Sequence, residues 1–352
     1  MFLGTTCARP IEFRHPVRMT ARRELPETFF GTPFSRKNAL LAGLSDERLS
    51  ASDLHRPFHG VRLPSGHERE IVWRCRAYRE WIHPANHFSH QTAAELFGLP
   101  LPNYLKKWKL HVSSPWPKHP PEGKLIVGHS VRGIMSRGME WVFKTELDDE
   151  LFSLPILNPT VVWRQLAFDL DLYDLVALGD AIVTQIAREQ TFASEALSSI
   201  EELRDVVKAT SGLPGALNAA KAIGLIRIGP LSRPESILRQ MIVAAGMPEP
   251  QLNVEVNGRE GNYLGRPDLS WPEFRVLVEY QGDGHRVSKA KFRSDISRRE
   301  EFQEGGWRVI QASAPDIFRD PNILSGRLWR ALKEAGWHPE NRQIRRIRSA
   351  RV

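Results

Sequence analysis

The sequence predicts an α+β protein built from several domains. Three observations carry that expectation. Near the N-terminus two short helical stretches flank a glycine turn and a strand follows; the middle mixes strand-like alternation with helical spacing; the last third runs helix, antiparallel strands, helix, strand, helix. At 352 residues the chain is long enough for two or three hydrophobic cores.

Residues 1–24 carry arginines but no apolar core of signal-peptide length, and are expected to form a flexible tail, with Met19 as an alternative start of translation. In 25–66, Ser35 is placed to cap a helix that runs through Leu41 and ends at Gly43. Ser45 can cap a second helix over 46–54, which His55-Arg56-Pro57 breaks, and 58–63 then reads as a strand. Two short helices about a glycine turn, followed by a strand, describe a winged helix-turn-helix-like module suited to docking on DNA. Its expected phosphate or base contacts are Arg36, Lys37, Arg48 and Arg62.

Residues 67–230 form a mixed α/β middle region. Helices are predicted at 74–82 and at 89–97, the second closed by Gly98. Strands are predicted at 109–113, 124–127 and 141–145, the first two separated by a proline-rich loop. After Pro159, apolar residues recur at helical spacing through Trp163, Leu166 and Leu170, and again over 175–186. Helices at 203–210 and 216–223 lead to Gly229-Pro-Leu-Ser-Arg-Pro234, the expected domain boundary. His87, His90, His111 and His129 are scattered without metal-ligand spacing and read as separate structural or surface histidines.

The last domain is expected over 231–340, followed by a basic tail, 341–352, read either as a solvated charge run or as a phosphate clamp. It begins with a helix over 234–246, where Ser232-Arg-Pro-Glu235 fits a capping box. A strand at 252–256, an Asn257-Gly258 turn and a strand at 264–269 come next. A tight turn at Trp271-Pro272-Glu273 then leads into a strand over 274–281. In that strand Val276, Val278 and Tyr280 point one way and Leu277, Glu279 and Gln281 the other. The preceding turn can lay Asp268 beside Glu279. Two carboxylates so arranged repel unless a divalent ion joins them, and hard oxygen ligands suit Mg²⁺ or Mn²⁺. A helix over 290–304, a strand over 307–312 and a helix over 323–335 complete the domain.

The ordered pieces Pro234-Glu235-Ser-Ile-Leu-Arg, Pro267-Asp268-Leu269, Val-Glu279-Tyr-Gln-Gly-Asp-Gly-His285, Asp295-x-x-Arg298 and Gly306-Trp307-Arg-Val-Ile resemble the very-short-patch-repair endonuclease-like family of the PD-(D/E)XK superfamily. The resemblance implies a restriction-endonuclease-like α/β core and hydrolysis of phosphodiesters. It also implies metal ligation by Asp268 and Glu279, with Glu235 nearby and His285 assisting through a water or the leaving oxygen. Gln281 stands where the superfamily usually has Lys; its amide can position water but adds no charge. Asp295 and Arg298 read either as an intrahelical ion pair or as support for the site, and Lys289, Lys291 and Arg298 make this stretch a candidate DNA-backbone contact. The upstream pieces Pro33-Phe-Ser-Arg-Lys-Asn-Ala-Leu-Leu-Ala-Gly43, Arg56-Pro-Phe-His-Gly-Val-Arg62 and Phe88-Ser-His-Gln-Thr-Ala-Ala-Glu-Leu-Phe-Gly98 resemble antitoxin and regulator proteins of type IV abortive-infection systems. That second resemblance implies a cognate toxin as partner, and leaves a non-catalytic regulator with a degenerate nuclease fold as the alternative to a nuclease.

The formal charge of +8 and the pI of about 9.6 favour a polyanion such as DNA. Cys7 and Cys75 are far apart in sequence and form no disulfide framework or zinc motif, which fits a reducing, cytoplasmic setting. No apolar run reaches the roughly 18 residues of a membrane span.

Overall fold

The computed structural model describes residues 24–30, 32–65, 70–79, 81–105, 109–144, 151–184, 195–282, 289–339 and 343–351, apart from the side chains of 144 and 289–296. The predicted tail therefore lies outside the described residues up to 23, and so does His285. The protein is mixed α+β, with eleven α-helices and four sheets among the described residues. No helix there is long and apolar enough to cross a membrane. The chain divides into two compact units, Met1–Arg69 and Glu70–Val352.

In the first unit, β1 (Phe34–Ser35), α1 (Arg36–Leu41), β2 (Leu54–His55) and β3 (Val61–Pro64) form one helix on an antiparallel sheet of order β1-β3-β2. Ser35 Oγ accepts the Asn38 N–H at 3.1 Å and caps α1. Gly43, at φ 82°, turns the chain out of the helix in the left-handed region. Phe34, Ala39, Leu44, Leu49 and Leu54 make the core. The predicted second helix over 46–54 is corrected to a single 3₁₀ turn, Arg48–Ser50. Ser45 Oγ does accept the Arg48 N–H. Arg48 then reaches ahead to Asp53 with two hydrogen bonds, 3.0 and 2.8 Å, and Leu54 enters β2, so helix cannot propagate.

The second unit opens with α2 (Ile71–Arg79), β4 (His87–Phe88), α3 (His90–Leu96), β5 (Leu110–Pro115), β6 (Ile126–Val131), β7 (Gly138–Lys144) and β8 (Leu151–Leu157). Its five-stranded sheet has the order β6-β5-β4-β8-β7, with β5 parallel to β6 and β4 parallel to β8. Strand β8 was not legible in the sequence because it carries Pro155 and lacks alternation; Pro155 is nonetheless accommodated opposite Glu140 of β7. Helices α4 (Pro159–Leu166), α5 (Leu172–Val183), α6 (Ile200–Ala209), α7 (Ala216–Ala222) and α8 (Arg233–Ala244) follow. Asp171 and Ser199 cap α5 and α6 through the N–H groups of Asp174 and Glu202.

Strands β9 (Gln251–Leu252), β10 (Val256–Asn257), β11 (Tyr263–Gly265), β12 (Leu269–Trp271) and β13 (Val276–Gln281), helix α9 (Lys289–Glu304), strand β14 (Arg308–Ser313) and helices α10 (Ala314–Phe318) and α11 (Pro321–Glu334) complete it. The sheet order is β14-β13-β12-β9, antiparallel except for the β13–β14 pair, which is parallel and joined through α9. The predicted alternation of β13 appears in the packing. Val276, Val278 and Tyr280 lie in a core with Ile237, Met241 and Leu328 of α8 and α11, and Leu277 lies in a second core with Phe302 and Trp307.

The expected boundary near 230 falls within this unit. Arg233 pairs with Asp174 at 2.6 Å, while Asp180 of α5 accepts from Ser236 Oγ at 2.5 Å and from Arg239 at 3.4 Å, so α5 and α8 share buried charge. Burial pushes Asp180 up to about 6 even against Arg239. Over 343–351 the basic tail is docked on the fold rather than free, while Arg345, Arg346 and Arg348 stay exposed. Ile347 and Ala350 join the core, the Arg345 N–H donates to Ala245 O, and the Ile347 N–H donates to Asn322 Oδ1.

Candidate functional site

The β12–β13 register sets Leu269 opposite Val278, so Asp268, the residue before β12, and Glu279 of β13 follow one step further. Asp268 Oδ2 accepts the Tyr280 N–H at 2.6 Å, which locks the carboxylate against the backbone next to Glu279. Burial, and then the charge of Glu235, raise the Asp268 carboxyl to about 6, against the opposing pull of the Tyr280 N–H and Arg298.

Glu235 sits buried in the first turn of α8. Ser232 Oγ accepts its N–H, as a cap should, but the return bond of the predicted capping box runs elsewhere. Glu235 Oε2 accepts from the Leu231 N–H at 2.9 Å and from Asn253 Nδ2 at 2.8 Å. Asn253 escaped the sequence reading. It takes a left-handed φ of 49°, donates its N–H to Asp268 O at 3.1 Å, and so ties Glu235 to Asp268. An Asn tolerant of that conformation after a short strand is the signal that could have found it.

Glu279 Oε1 pairs with Arg298 Nη2 at 3.2 Å, and the same guanidinium donates to Arg266 O. Arg298 thus faces a carboxylate of the site. Gln281 ends β13, exposed, opposite Ser313 of β14. Lys289 and Lys291 lie on α9, with side chains outside the described residues.

In the first unit the four expected DNA contacts separate. Lys37 is exposed. Arg36 is exposed and paired with Asp46 at 2.6 Å. Arg48 and Arg62 are corrected. Both are buried, Arg48 in its two bonds to Asp53, and Arg62 in bonds to the carbonyls of Leu49 (2.6 Å) and Val61 (3.0 Å), so the fold consumes their donors.

The reading of the histidines as scattered is also corrected. His90, His111 and His129 converge with a ring nitrogen from each within 4.8 Å of the others, the one such grouping of three among the described residues. Glu235, Asp268 and Glu279 do not meet that spacing. His111 pairs with Val127 and Ser113 with His129 across parallel strands β5 and β6, which puts both imidazoles on one face of the sheet. His90 enters from the start of α3 at a left-handed φ of 49°. The His111 Nδ1 and His129 Nε2 atoms are 2.9 Å apart, and the His90 ring stacks on His129 with 3.7 Å between centroids. Burial, then the neighbouring His129 and His111, hold His90 well below the usual imidazole range; burial lowers His129 too. The three rings line a cleft of about 1110 Å³ between the sheet and α4. Only the parallel register and the backbone turn at His90 assemble them, and neither has a spacing signature.

No family model matches the chain. Two chains of Mycobacterium tuberculosis resemble it: uncharacterized protein Rv2248 of strain ATCC 25618 / H37Rv and uncharacterized protein MT2308 of strain CDC 1551 / Oshkosh. Each is 26% identical over 244 residues, covering 69% of this chain and 80% of the relative.

Proposed function

We propose that the protein binds DNA and that its C-terminal domain is a Mg²⁺-dependent endonuclease of the very-short-patch-repair-like type. The observation that carries this reading is the β12–β13 register, which brings Asp268 beside Glu279 with Asp268 held by the Tyr280 N–H. The order α8, β12, β13, α9, β14, with β13 and β14 parallel, accords with the restriction-endonuclease-like core that the sequence resemblance implies. The donor set fits a hard divalent cation. Asp268 carries a carboxyl raised to about 6 by burial and by Glu235, a penalty that a nearby cation relieves, and Glu279 already faces a positive group in Arg298.

When bound, the metal supplies a Lewis acid and an acidified water. Asp268 and Glu279 would hold it. Gln281 would orient the water through its amide without adding charge. Glu235, fixed by Leu231 and Asn253, keeps the negative potential around Asp268 high, and His285 would serve the leaving oxygen. Of the four cations expected to contact DNA in the first unit, Lys37 and Arg36 are exposed and would serve as phosphate contacts. Incubation of the protein with supercoiled plasmid and Mg²⁺ or Mn²⁺ tests the reading: wild type nicks or linearises the plasmid and Asp268→Ala does not. Equal cleavage by both proteins refutes it.

A second reading, a non-catalytic DNA-binding regulator or antitoxin with a cognate toxin, is favoured by the Arg298–Glu279 pair together with Gln281 in place of lysine. A salt-sensitive gel shift, with no metal affinity at Asp268 and no cleavage of mismatched or branched duplexes, identifies it.

A further inference from the structure

We propose that His90, His111 and His129 form a binding site for a divalent transition metal of the zinc class, with a remaining coordination position on the cleft. Three observations support the site. The first is spacing. Zinc bound tetrahedrally at ~2.0–2.1 Å from each nitrogen sets ligand nitrogens ~3.3 Å apart. The three imidazoles bring nitrogens within 4.8 Å of one another, so small ring rotations suffice. One pair, His111 Nδ1 and His129 Nε2 at 2.9 Å, is held by a proton shared between two ring nitrogens. A metal ion takes the place of that proton, which moves to the other nitrogen of the ring that carried it; the ion opens the pair by a few tenths of an ångström and tilts the His90 ring off its stack on His129.

The second observation is the supporting shell. Ser89 Oγ lies 3.1 Å from His90 Nδ1, which leaves Nε2 as the coordinating atom. Gln165 Oε1 accepts the His90 N–H, and Thr92 Oγ1 accepts the His111 N–H at 2.8 Å, so the backbones that carry two of the ligands are pinned by side chains. Arg164, at the floor of the same cleft, spends its guanidinium on Thr210, Leu213 and Pro214 and leaves that floor rigid. Gln91, in the cleft wall and more than nine-tenths buried, has an Oε1 with no hydrogen-bond partner.

The third is donor chemistry. Three imidazoles without a carboxylate suit Zn²⁺, Co²⁺, Ni²⁺ or Cu²⁺ and reject Mg²⁺ and Ca²⁺, which seek hard oxygens. The site is therefore independent of the Asp268–Glu279 pair in residues and in preferred metal.

The test uses the full-length protein stripped with a chelator. Titration with Zn²⁺ by calorimetry should fill one site, and Co²⁺ should give the visible absorption of a tetrahedral centre. His111→Ala and His129→Ala should each lose that site, while Asp268→Ala keeps it. A readout on wild type covers the case in which a variant fails to fold. Zn²⁺ should protect His90, His111 and His129 from diethylpyrocarbonate, read by mass spectrometry, with His55 and His59 still modified and Mg²⁺ giving no protection. Absence of a zinc site, retention of it in folded His111→Ala and His129→Ala, or equal modification of the three histidines with and without Zn²⁺ overturns the proposal.

Discussion

The carboxylates just before β12, on β13 and on α8, and the imidazoles on β5, β6 and α3, are both clusters of potential metal ligands, and they differ in how the fold treats them. Each carboxylate is engaged by protein groups: Asp268 by the Tyr280 N–H, Glu235 by Leu231 and Asn253, Glu279 by Arg298. The imidazoles instead lean chiefly on one another, through a ring-to-ring hydrogen bond and a stack, beside a large cleft. A partly buried carboxylate must be compensated, by a protein partner, a cation or a proton of its own. Imidazoles can remain neutral and packed until a cation arrives. A motif written in sequence can thus be occupied by internal partners, while ligands without a motif can be assembled and ready.

Exchange of variants between the clusters is the most severe way to break this comparison. Asp268→Ala or Glu279→Ala should lower Mg²⁺-dependent plasmid nicking by about two orders of magnitude or more, the scale on which transition-state electrostatic contacts act. His111→Ala should leave nicking unchanged. Loss of nicking in folded His111→Ala would falsify the separation of the two sites.

The carboxylate side sharpens through pH. The folded pKa of Asp268, about 6, lies above its ordinary value of 3.8, so the folded state holds this proton more tightly. Its contribution to stability is complete below about pH 4 and is lost as pH rises through 6. In metal-free protein, Asp268→Asn keeps an acceptor for the Tyr280 N–H and removes the buried charge. It should be more stable than wild type at pH 8 by up to about 3 kcal/mol and flatten the slope between pH 4 and 6. Urea unfolding across that range is the measurement; a variant less stable at pH 8 contradicts the assigned desolvation.

Thermal unfolding with added metal distinguishes hard from borderline donors. Zn²⁺ at about a hundredfold excess over its dissociation constant should stabilise wild type by roughly 2.7 kcal/mol. His129→Ala should not respond, and Mg²⁺ stabilisation should follow Asp268 instead.

The smallest effect concerns Arg298. Its pair with Glu279 is partly exposed, so a double-mutant cycle with Arg298→Ala and Glu279→Ala should give a coupling below about 1 kcal/mol that fades with salt. Arg298→Ala should also tighten Mg²⁺ binding by calorimetry, because the guanidinium and the ion compete for one carboxylate. Unchanged or weaker binding would show that Arg298 supports the site.

The sequence was most legible where chemistry is local. Ser35, Asp171, Ser199 and Ser232 cap helices because a side-chain oxygen reaches an N–H three residues ahead, and only the first and last of these were singled out from the sequence. The period-two pattern of β13 placed Glu279 and Val278 on opposite faces, as the packing has it. Legibility failed where a choice depended on distant partners. Residues 46–54 follow a helix cap, Ser45, yet the bonds from Arg48 to Asp53 and the pairing of Leu54 with Pro64 take the chain into a hairpin. Arg48 and Arg62 look like surface cations until burial assigns their donors to Asp53 and to main-chain carbonyls.

The sequence by itself determined the alternation that sets Glu279 and Gln281 on one face of β13, the hard-oxygen character of Asp268 and Glu279, and the absence of charge at Gln281, because these follow from residue type and the two-residue period of a strand. Only the tertiary structure decided that Arg298 faces Glu279, that Asn253 joins Glu235 to Asp268, that Ile347 and Ala350 dock on the core, and that three histidines up to 39 positions apart share one cleft. The reason is physical. Strand register and helix docking are set by the summed burial of many apolar side chains, and a polar group arrives beside its partner only after that register has been chosen.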